Sequence, residues 1–493
     1  MSLDKSEPPA LPPDVSALST GADAGASEAS ARLLFVGDVH LGRSPGGLPA
    51  DVEPTPFGPR AALANLVEKA LDESYDAVLF AGDVVDTARD FFEAYAPLTD
   101  AARRLLTAGI EVICVSGNHD VQVLPRLVKE VPGVRLLGAG GTWETHIVQR
   151  DGQPVARILG WSFPRPRVTM SPLGNFDASI LAGGPVGVPT IGLLHADLDA
   201  SKSHYAPVAR RELEAVAGVD AWMLGHIHAP SKLTGVARPI GYLGSLSALD
   251  PGAPGRRGPW ELNWDRSGLS LVQLVSSALR FERVDLDVSP AQDADGLEEL
   301  LARAVRETSE RVQEDGGEAR LIGVRVRLVG RSHLARLERD RVREEALRGL
   351  GGAGENGAYL EAIIDEALPA VDLERLARYA DPLGLVARRV LSLQANDGEG
   401  RRLAKRALPE LRSRAEHATF TTHLGAFDLD EEGARLVLLE AGRQILDALV
   451  AQRPEVLEED DMLEPMPRQK KGDNAGDDGE SFALEQDEEE SIR

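Results

Sequence analysis

The chain has 493 residues, of which 43% are hydrophobic, which is enough for at least one large core and predicts two or three domains. Apolar runs fall short of the roughly 20 residues needed to cross a bilayer, and the N-terminus lacks the basic-then-apolar order of a signal peptide, so we expect a cytoplasmic protein with no membrane partner. The single cysteine, Cys114, excludes an intramolecular disulfide and a cysteine-based zinc cage. Any metal must therefore be held by Asp, His and Asn.

The formal net charge of -25 is concentrated at the two ends of the chain. Residues 455–493 carry 15 acidic and 4 basic side chains, a net -11, and residues 1–31 carry 5 and 1, a net -4, which leaves -10 for the middle. Phosphate contacts require Lys and Arg, so an acidic chain argues against a nucleic-acid partner. Because most of the negative charge falls in expected tails, that objection is weak here.

The pattern of apolar residues divides the sequence into five parts. We predict a disordered tail (1–31), a first α/β domain (32–278), a small α/β accessory domain (279–368), a helical region (369–454) and a disordered acidic tail (455–493). In the first domain, short apolar strands alternate with helical segments, which indicates βαβ units with buried strands. Its second half has less helix and more Gly- and Pro-rich turns, which predicts a second, more mixed sheet.

Five apolar runs of the first domain each end in polar side chains. LLFVGDVH ends at Asp38 and His40, VLFAGDVVD at Asp83 and Asp86, VICVSGNHD at Asn118, His119 and Asp120, TIGLLH at His195, and AWMLGHIH at His226 and His228. Any one of these runs is weak evidence, since GNHD could be a capped turn and a lone histidine is more often a hydrogen-bonded core residue. Together, each after a buried strand, they predict a metal site.

The residue types of these five runs suit manganese, iron or zinc. Two divalent cations about 3.5 to 4 Å apart share a bridging carboxylate and a bridging water; they lower the pKa of that water and neutralise charge on a phosphate. We predict that Asp83 is the bridging carboxylate. The adjacent glycines let the backbone turn sharply beside the metals.

The order of these motifs resembles that of the calcineurin-like metallophosphoesterases. HLGR (40–43), GWSF (160–163), IGLLH (191–195) and HYAP (204–207) further resemble the bacterial SbcD and YhaO type of DNA repair exonuclease. The resemblance implies a four-layer αββα sandwich with a small α/β capping domain and a helical C-terminal region. It also implies two divalent metal ions, with manganese the expected metal.

The resemblance assigns a role to each polar residue of the motifs. One metal would be held by Asp38, His40, Asp83 and His228, and the other by Asp83, Asn118, His195 and His226. His119 would position the phosphate or protonate the leaving oxygen, and Asp86 and Asp120 would orient their neighbours. His204 would contact substrate or cap a loop. Residues 241–258 depart from the family pattern, so Arg256 and Arg257 would either contact a phosphate backbone or stay solvated.

The function implied by the resemblance is a DNA phosphodiesterase, an exonuclease subunit that works with an SMC-like coiled-coil ATPase of the SbcC or YhaN kind. A homodimer, in which two copies of the chain assemble, is a further possibility under this function. The basic stretch RRLAKRALPELRSR could bind DNA or an acidic coiled coil, or be a solvated helix face. Two alternatives remain: hydrolysis of a small phosphoester or nucleotide, which the large accessory region disfavours, and a catalytically silent DNA-end scaffold, which the full set of ligands disfavours.

Overall fold

The fold is that of a computed structural model, which describes residues 30–352, 354, 357–415 and 430–453. The predicted N-terminal tail, except for its last two residues, and the acidic tail lie outside these residues. Internal contacts divide the chain into two units, Met1–Ala367 and Leu368–Arg493. In the part of the chain that is described, no helix is both long and apolar enough to cross a membrane.

Two sheets form the centre of the first unit. Their strands are β1 (Ala31–Val36), β2 (Ala77–Ala81), β3 (Glu111–Val115), β4 (Arg135–Leu136), β5 (Trp143–Arg150), β6 (Gln153–Trp161), β7 (Thr190–His195), β8 (Ala221–Gly225), β9 (Ile240–Tyr242), β10 (Trp260–Asp265) and β11 (Gly268–Gln273). The first sheet has the order β11-β10-β1-β2-β3-β4, and the second has the order β5-β6-β7-β8-β9. The inner strands of both sheets are parallel; β10, β11 and β5 pair antiparallel with their neighbours.

The apolar runs of the first sheet serve two cores because successive side chains of a strand point to opposite faces. Leu33 and Phe35 of β1 pack in the core between the two sheets. Leu34 and Val36 pack in the core beneath the helices. The helices of this face are α1 (Pro59–Glu73), α2 (Phe91–Thr107) and the short α3 (Leu124–Leu127). Burial on both faces explains why these strands are continuous apolar runs.

The outer face of the second sheet carries little helix. Trp222 of β8 is fully buried there, and its indole Nε1 donates to Leu213 O at 3.1 Å. The covering elements are α4 (Arg210–Ala215) and the 3₁₀ helices Pro172–Asn175 and Ala178–Leu181. The predicted four-layer αββα sandwich is confirmed, with a thin fourth layer.

A three-stranded parallel sheet builds the accessory region, with its core between the sheet and two helices. Its elements are β12 (Leu279–Asp287), α5 (Ala294–Glu314), β13 (Leu321–Val329), β14 (Arg331–Ser332), α6 (Arg336–Leu350) and β15 (Ala358–Asp365). Asp293 caps α5, its Oδ1 accepting from Gly296 N at 2.9 Å. Phe281 and Tyr359 of this sheet pack against Leu48 and Ala248 of the first domain.

The second unit is helical apart from its first residues. Its elements are the short strand β16 (Leu368–Pro369) and the helices α7 (Leu373–Leu376), α8 (Pro382–Ala395), α9 (Gly398–Ala415) and α10 (Glu431–Gln452). Leu383, Val390 and Leu446 lie in its buried core, which joins α8 and α10. The predicted helical C-terminal region is confirmed for the described residues.

Candidate metal centre

The polar residues of the five motifs meet at one end of the two sheets. They follow β1, β2 and β3 of the first sheet and end or follow β7 and β8 of the second. Two hydrogen bonds join the sheets here: His195 Nδ1 donates to Ala81 O at 2.9 Å, and the backbone N of His226 donates to Asp38 Oδ1 at 3.0 Å. Because all five strands are parallel within their sheets, their carboxyl ends deliver these side chains to one place.

Glycines allow the close approach of the two sheets. A Cβ on Gly225 would lie 2.2 Å from Ala81 O, and one on Gly82, whose φ is +91°, would lie 2.6 Å from His195 Nδ1. Three ligand candidates also have left-handed backbones: His40 (φ 56°), Asp83 (φ 48°) and His226 (φ 104°). Such conformations cost about 1 to 3 kcal/mol each and cluster at functional sites.

The first cluster of ligand atoms comes from Asp38, His40 and His228. One atom from each lies within 4.8 Å of the other two. His40 Nε2 and His228 Nε2 are 3.0 Å apart, and Asp86 Oδ1 lies 2.9 Å from His40 Nδ1. With Nδ1 facing Asp86, the Nε2 atom of His40 is the nitrogen turned towards the cluster.

The second cluster comes from Asp83, His195 and His226, again within 4.8 Å. Asn118 joins it through Oδ1, which lies 3.1 Å from His195 Nε2. Asp83 Oδ2 lies 3.2 Å from the same nitrogen. The structure thus brings together all seven residues predicted as metal ligands. Six of them form two groups that agree with the sets that the resemblance implies, and a third group of close ligand atoms consists of His40, Asp86 and His119.

The chemistry of the second cluster fits a bound cation. His195 Nδ1 faces a carbonyl oxygen, which can only accept, so this nitrogen carries a proton. In the neutral ring, Nε2 then presents a lone pair to the oxygens of Asp83 and Asn118. Three acceptors facing one another are stable only with a positive charge between them, which a proton or a metal ion supplies.

Burial and neighbouring charges together shift the pKa values of the centre. Burial lowers the pKa of His195, but the Asp83 carboxylate outweighs it and raises the value to about 9. Burial also dominates at Asp38, whose pKa is raised, and at His226 and His228, whose pKa values are lowered to about 4. The centre therefore combines buried carboxylates with two imidazoles that stay neutral, which is the form that binds a metal.

Asp83 acts on both clusters. Burial opposes its ionisation, but the positive charge of His195, with that of His40, lowers its pKa. Its charge in turn contributes to the raised pKa of His40, where burial acts in the opposite direction. This central position suits the bridging role predicted from the sequence.

His119 is held at the rim by two hydrogen bonds. Its backbone N donates to Asp83 Oδ1 at 2.9 Å, and its Nδ1 lies 2.6 Å from the backbone O of Asp86. A carbonyl only accepts, so Nδ1 donates and Nε2 is left to exchange a proton with a ligand. The side chain is exposed, unlike the buried Asp83.

Asp86 and Asp120 support their neighbours in different ways. Asp86 holds His40 through its carboxylate and His119 through its carbonyl. Asp120 is fully buried and acts on the backbone: its Oδ1 accepts from Gly117 N at 2.8 Å and its Oδ2 from Val84 N at 2.7 Å. Burial, with the charge of Asp83, raises the pKa of Asp120 to about 7.

None of the three predicted substrate contacts belongs to a ligand cluster. His204 is exposed on a loop, where its backbone O accepts from Val168 N. Arg256 pairs with Asp315 at 2.9 Å. Arg257 differs from the sequence-based expectation: it is 1% exposed and donates to the backbone O of Arg256 at 2.6 Å, so it supports its own loop and cannot reach a phosphate backbone.

Two further residues contact His226: Asp197, which lies outside the motifs, and Tyr205, which belongs to HYAP but has no role predicted from it. Asp197 Oδ1 lies 3.4 Å from His226 Nε2, and the Tyr205 ring centroid lies 5.1 Å from that of His226. Asp197 follows His195 by two residues, the same spacing as in Asp38-x-His40. That spacing after the buried strand β7 is the one sequence feature that could have indicated it.

Two family models match separate parts of the chain. Residues 31–230 match the family described as calcineurin-like phosphoesterase. Residues 281–367 match the middle domain of the metallophosphoesterase YhaO. The first match contains both ligand clusters, and the second coincides with the three-stranded parallel sheet and its helices.

Three curated proteins illustrate the similarity. An uncharacterized metallophosphoesterase YhaO from Bacillus subtilis is 26% identical over 243 residues, 49% of this chain and 58% of its own length. A DNA double-strand break repair protein Mre11 from Aeropyrum pernix is 30% identical over 241 residues, 45% of this chain and 56% of its own length. The SbcD component of the SbcCD nuclease from Rhodobacter capsulatus is 34% identical over 148 residues, 27% of this chain and 35% of its own length. This chain thus covers less than two thirds of each relative.

Proposed function

Since this chain is a calcineurin-like metallophosphoesterase of the YhaO, Mre11 and SbcD type, we propose that it is a two-metal-dependent phosphodiesterase acting on DNA. Within that proposal it is a DNA repair exonuclease subunit, and manganese is the working metal. The observation that carries the proposal is the pair of ligand clusters, Asp38/His40/His228 and Asp83/His195/His226, each within 4.8 Å. A single metal would need only one of them.

The residues of the centre would hold one metal on Asp38, His40, Asp83 and His228 and another on Asp83, Asn118, His195 and His226. Two divalent ions held this way neutralise the charge of a phosphodiester and make water a stronger nucleophile at neutral pH. The glycines and the hydrogen bonds between the sheets keep the donors in place before substrate arrives. Preorganisation of this kind accounts for much of the catalytic power of such sites.

His119 would be the general acid of the reaction. With Nδ1 donating to Asp86 O, it presents Nε2, the nitrogen that can give a proton to the leaving oxygen. The hydrogen bond from its backbone N–H to Asp83 Oδ1 links His119 to the proposed bridging residue. A positioned acid typically contributes 10² to 10⁴-fold in rate.

DNA is the proposed substrate because the Mre11 and SbcD relatives are named for DNA repair and nuclease activity. Arg43 is a better placed phosphate contact than Arg256 or Arg257. It follows His40 by three residues, its side chain is 33% exposed, and its closest carboxylate oxygen, Asp250 Oδ2, lies 3.9 Å away. An ion pair of that length and exposure is weak, so a phosphate could displace it.

The proposed partner is an SMC-like coiled-coil ATPase of the SbcC or YhaN kind, in a cytoplasmic complex that could contain two copies of this chain. The helical second unit would provide the contact. Leu385 of α8 and Leu436, Val437 and Ile445 of α10 are large apolar side chains that are 42 to 53% exposed. Exposed apolar side chains on these helices are candidates for that contact.

A nuclease assay with the full chain tests this function. We expect manganese-dependent cleavage of linear duplex or single-stranded DNA, and slower turnover of a small model phosphodiester than of DNA. His119→Ala should lower DNA cleavage by about 10² to 10⁴-fold with its metal content unchanged. Cleavage at the wild-type rate in that variant would refute the role of His119, and metal analysis that finds no bound cation would favour the silent scaffold.

A further inference from the structure

A compact loop after β7, residues 197–208, forms one wall of the second ligand cluster. It closes on itself: Asp197 N donates to Tyr205 O at 2.9 Å, and Val208 N donates to Asp197 O at 2.9 Å. It also ties to β9, since Leu198 N donates to Tyr242 OH at 2.6 Å. The backbone of Asp197 is therefore fixed on both sides.

The carboxylate of Asp197 is fixed as well as its backbone. Its Oδ2 accepts a hydrogen bond from Ser203 Oγ. Its Oδ1 lies 3.4 Å from His226 Nε2, and the two side chains are only 17% and 14% exposed. Oδ2 is thus hydrogen-bonded, and Oδ1 makes a longer ion-pair contact with a predicted metal ligand.

In His40 and His195, the ring nitrogen that points away from the cluster faces an oxygen atom. Asp86 Oδ1 faces His40 Nδ1, and Ala81 O faces His195 Nδ1, which leaves Nε2 of both rings for the clusters. His226 is turned the other way, with Nε2 towards Asp197. Its Nδ1 is therefore the nitrogen available to a metal.

We propose that Asp197 is a positioning residue that holds His226 in the orientation and tautomer in which Nδ1 binds the second metal. The inference rests on the proposed two-metal function, and it adds a residue to which neither the motifs nor the matches assign a role. An oxygen partner on the outer nitrogen fixes a ligating imidazole and increases its basicity, and loss of such a partner typically weakens metal binding about 10 to 100-fold. His226 needs this support because its backbone is strained, with φ 104°.

The test is a calorimetric titration of the metal-stripped full chain with Mn²⁺ alone. Asp197→Asn should weaken the binding of one of the two Mn²⁺ ions about 10 to 100-fold and leave the affinity for the other unchanged. Asp199→Asn is the matched control, because it removes the same charge from the same loop. Asp199 has a φ of 60°, which Asn tolerates, and its Oδ1 accepts from Arg210 N at 2.8 Å, which an amide oxygen can also do.

A second readout separates positioning from a purely structural role. Asp197→Asn should unfold at the same temperature as the control when both are metal-free, and excess Mn²⁺ should restore its turnover of a phosphodiester. Equal Mn²⁺ affinities in the two variants, or loss of both ions together with a lower metal-free unfolding temperature, would overturn the proposal. The titration contains no DNA, so absence of DNA cleavage would refute the proposed function and leave this result standing.

Discussion

Replacing Gly117 with alanine tests how strictly the centre depends on its packing. A Cβ at this position would lie 2.1 Å from Asp83 Oδ1 and 2.8 Å from Asp83 Cγ. Real Cβ contacts essentially never fall below 3.0 Å, and 3.0 minus 2.1 gives 0.9 Å as the smallest shift that relieves the clash. Metal–ligand distances are held to about 0.2 Å, so this displacement exceeds what the site tolerates more than fourfold.

We expect Gly117→Ala to bind neither Mn²⁺ ion tightly and to lose about 1 to 3 kcal/mol of metal-free stability, the usual cost of overpacking. Gly174→Ala is the control, since a Cβ there has nothing within 4 Å. Metal content after desalting and denaturant unfolding in EDTA measure the two effects. Two tightly bound ions in a folded Gly117→Ala variant would refute the assignment of Asp83 as the residue that both metals need.

Two further predictions concern substrate binding and pH. Arg43→Ala should raise KM for DNA about 10 to 100-fold with no loss of metal, because it removes a hydrogen bond to a charged phosphate. Arg256→Ala should have a smaller effect, because its guanidinium is paired with Asp315. The pKa of His195, about 9, lies above its ordinary value of 6.5, so its stabilising charge is complete below pH 6.5 and is lost as pH rises to 9. The unfolding temperature of the metal-free chain should therefore fall over this range and that of the Mn²⁺-loaded chain should not.

The βαβ units of the first sheet could be predicted because their strands are buried on both faces and therefore appear as uninterrupted apolar runs. The four-layer arrangement came from the resemblance. The same runs located the candidate ligands, since the polar residues follow the carboxyl end of each strand. The thin fourth layer was harder to predict. The fully buried Trp222 is covered there by short helices and 3₁₀ turns, whose sequences lack a long helical period.

Residues whose role depends on a distant partner could not be assigned from the sequence. Asp197 looked like one acidic loop residue among several, and only the fold brings it to His226. Arg257 looked like a solvated cation, but it is buried among backbone carbonyl oxygens of its own loop. In both cases the side chain is ordinary in type and its surroundings decide what it does.

A comparison of Asp83→Ala with Asp86→Ala tests the central claim most directly. Asp83 belongs to the second ligand cluster and its charge also acts on His40 of the first, whereas the Asp86 carboxylate faces His40 Nδ1. Metal analysis of the purified full-length variants should find both ions lost or disordered in Asp83→Ala, and both retained with weaker binding in Asp86→Ala. Equal metal retention in the two variants would contradict a centre in which one carboxylate serves both metals.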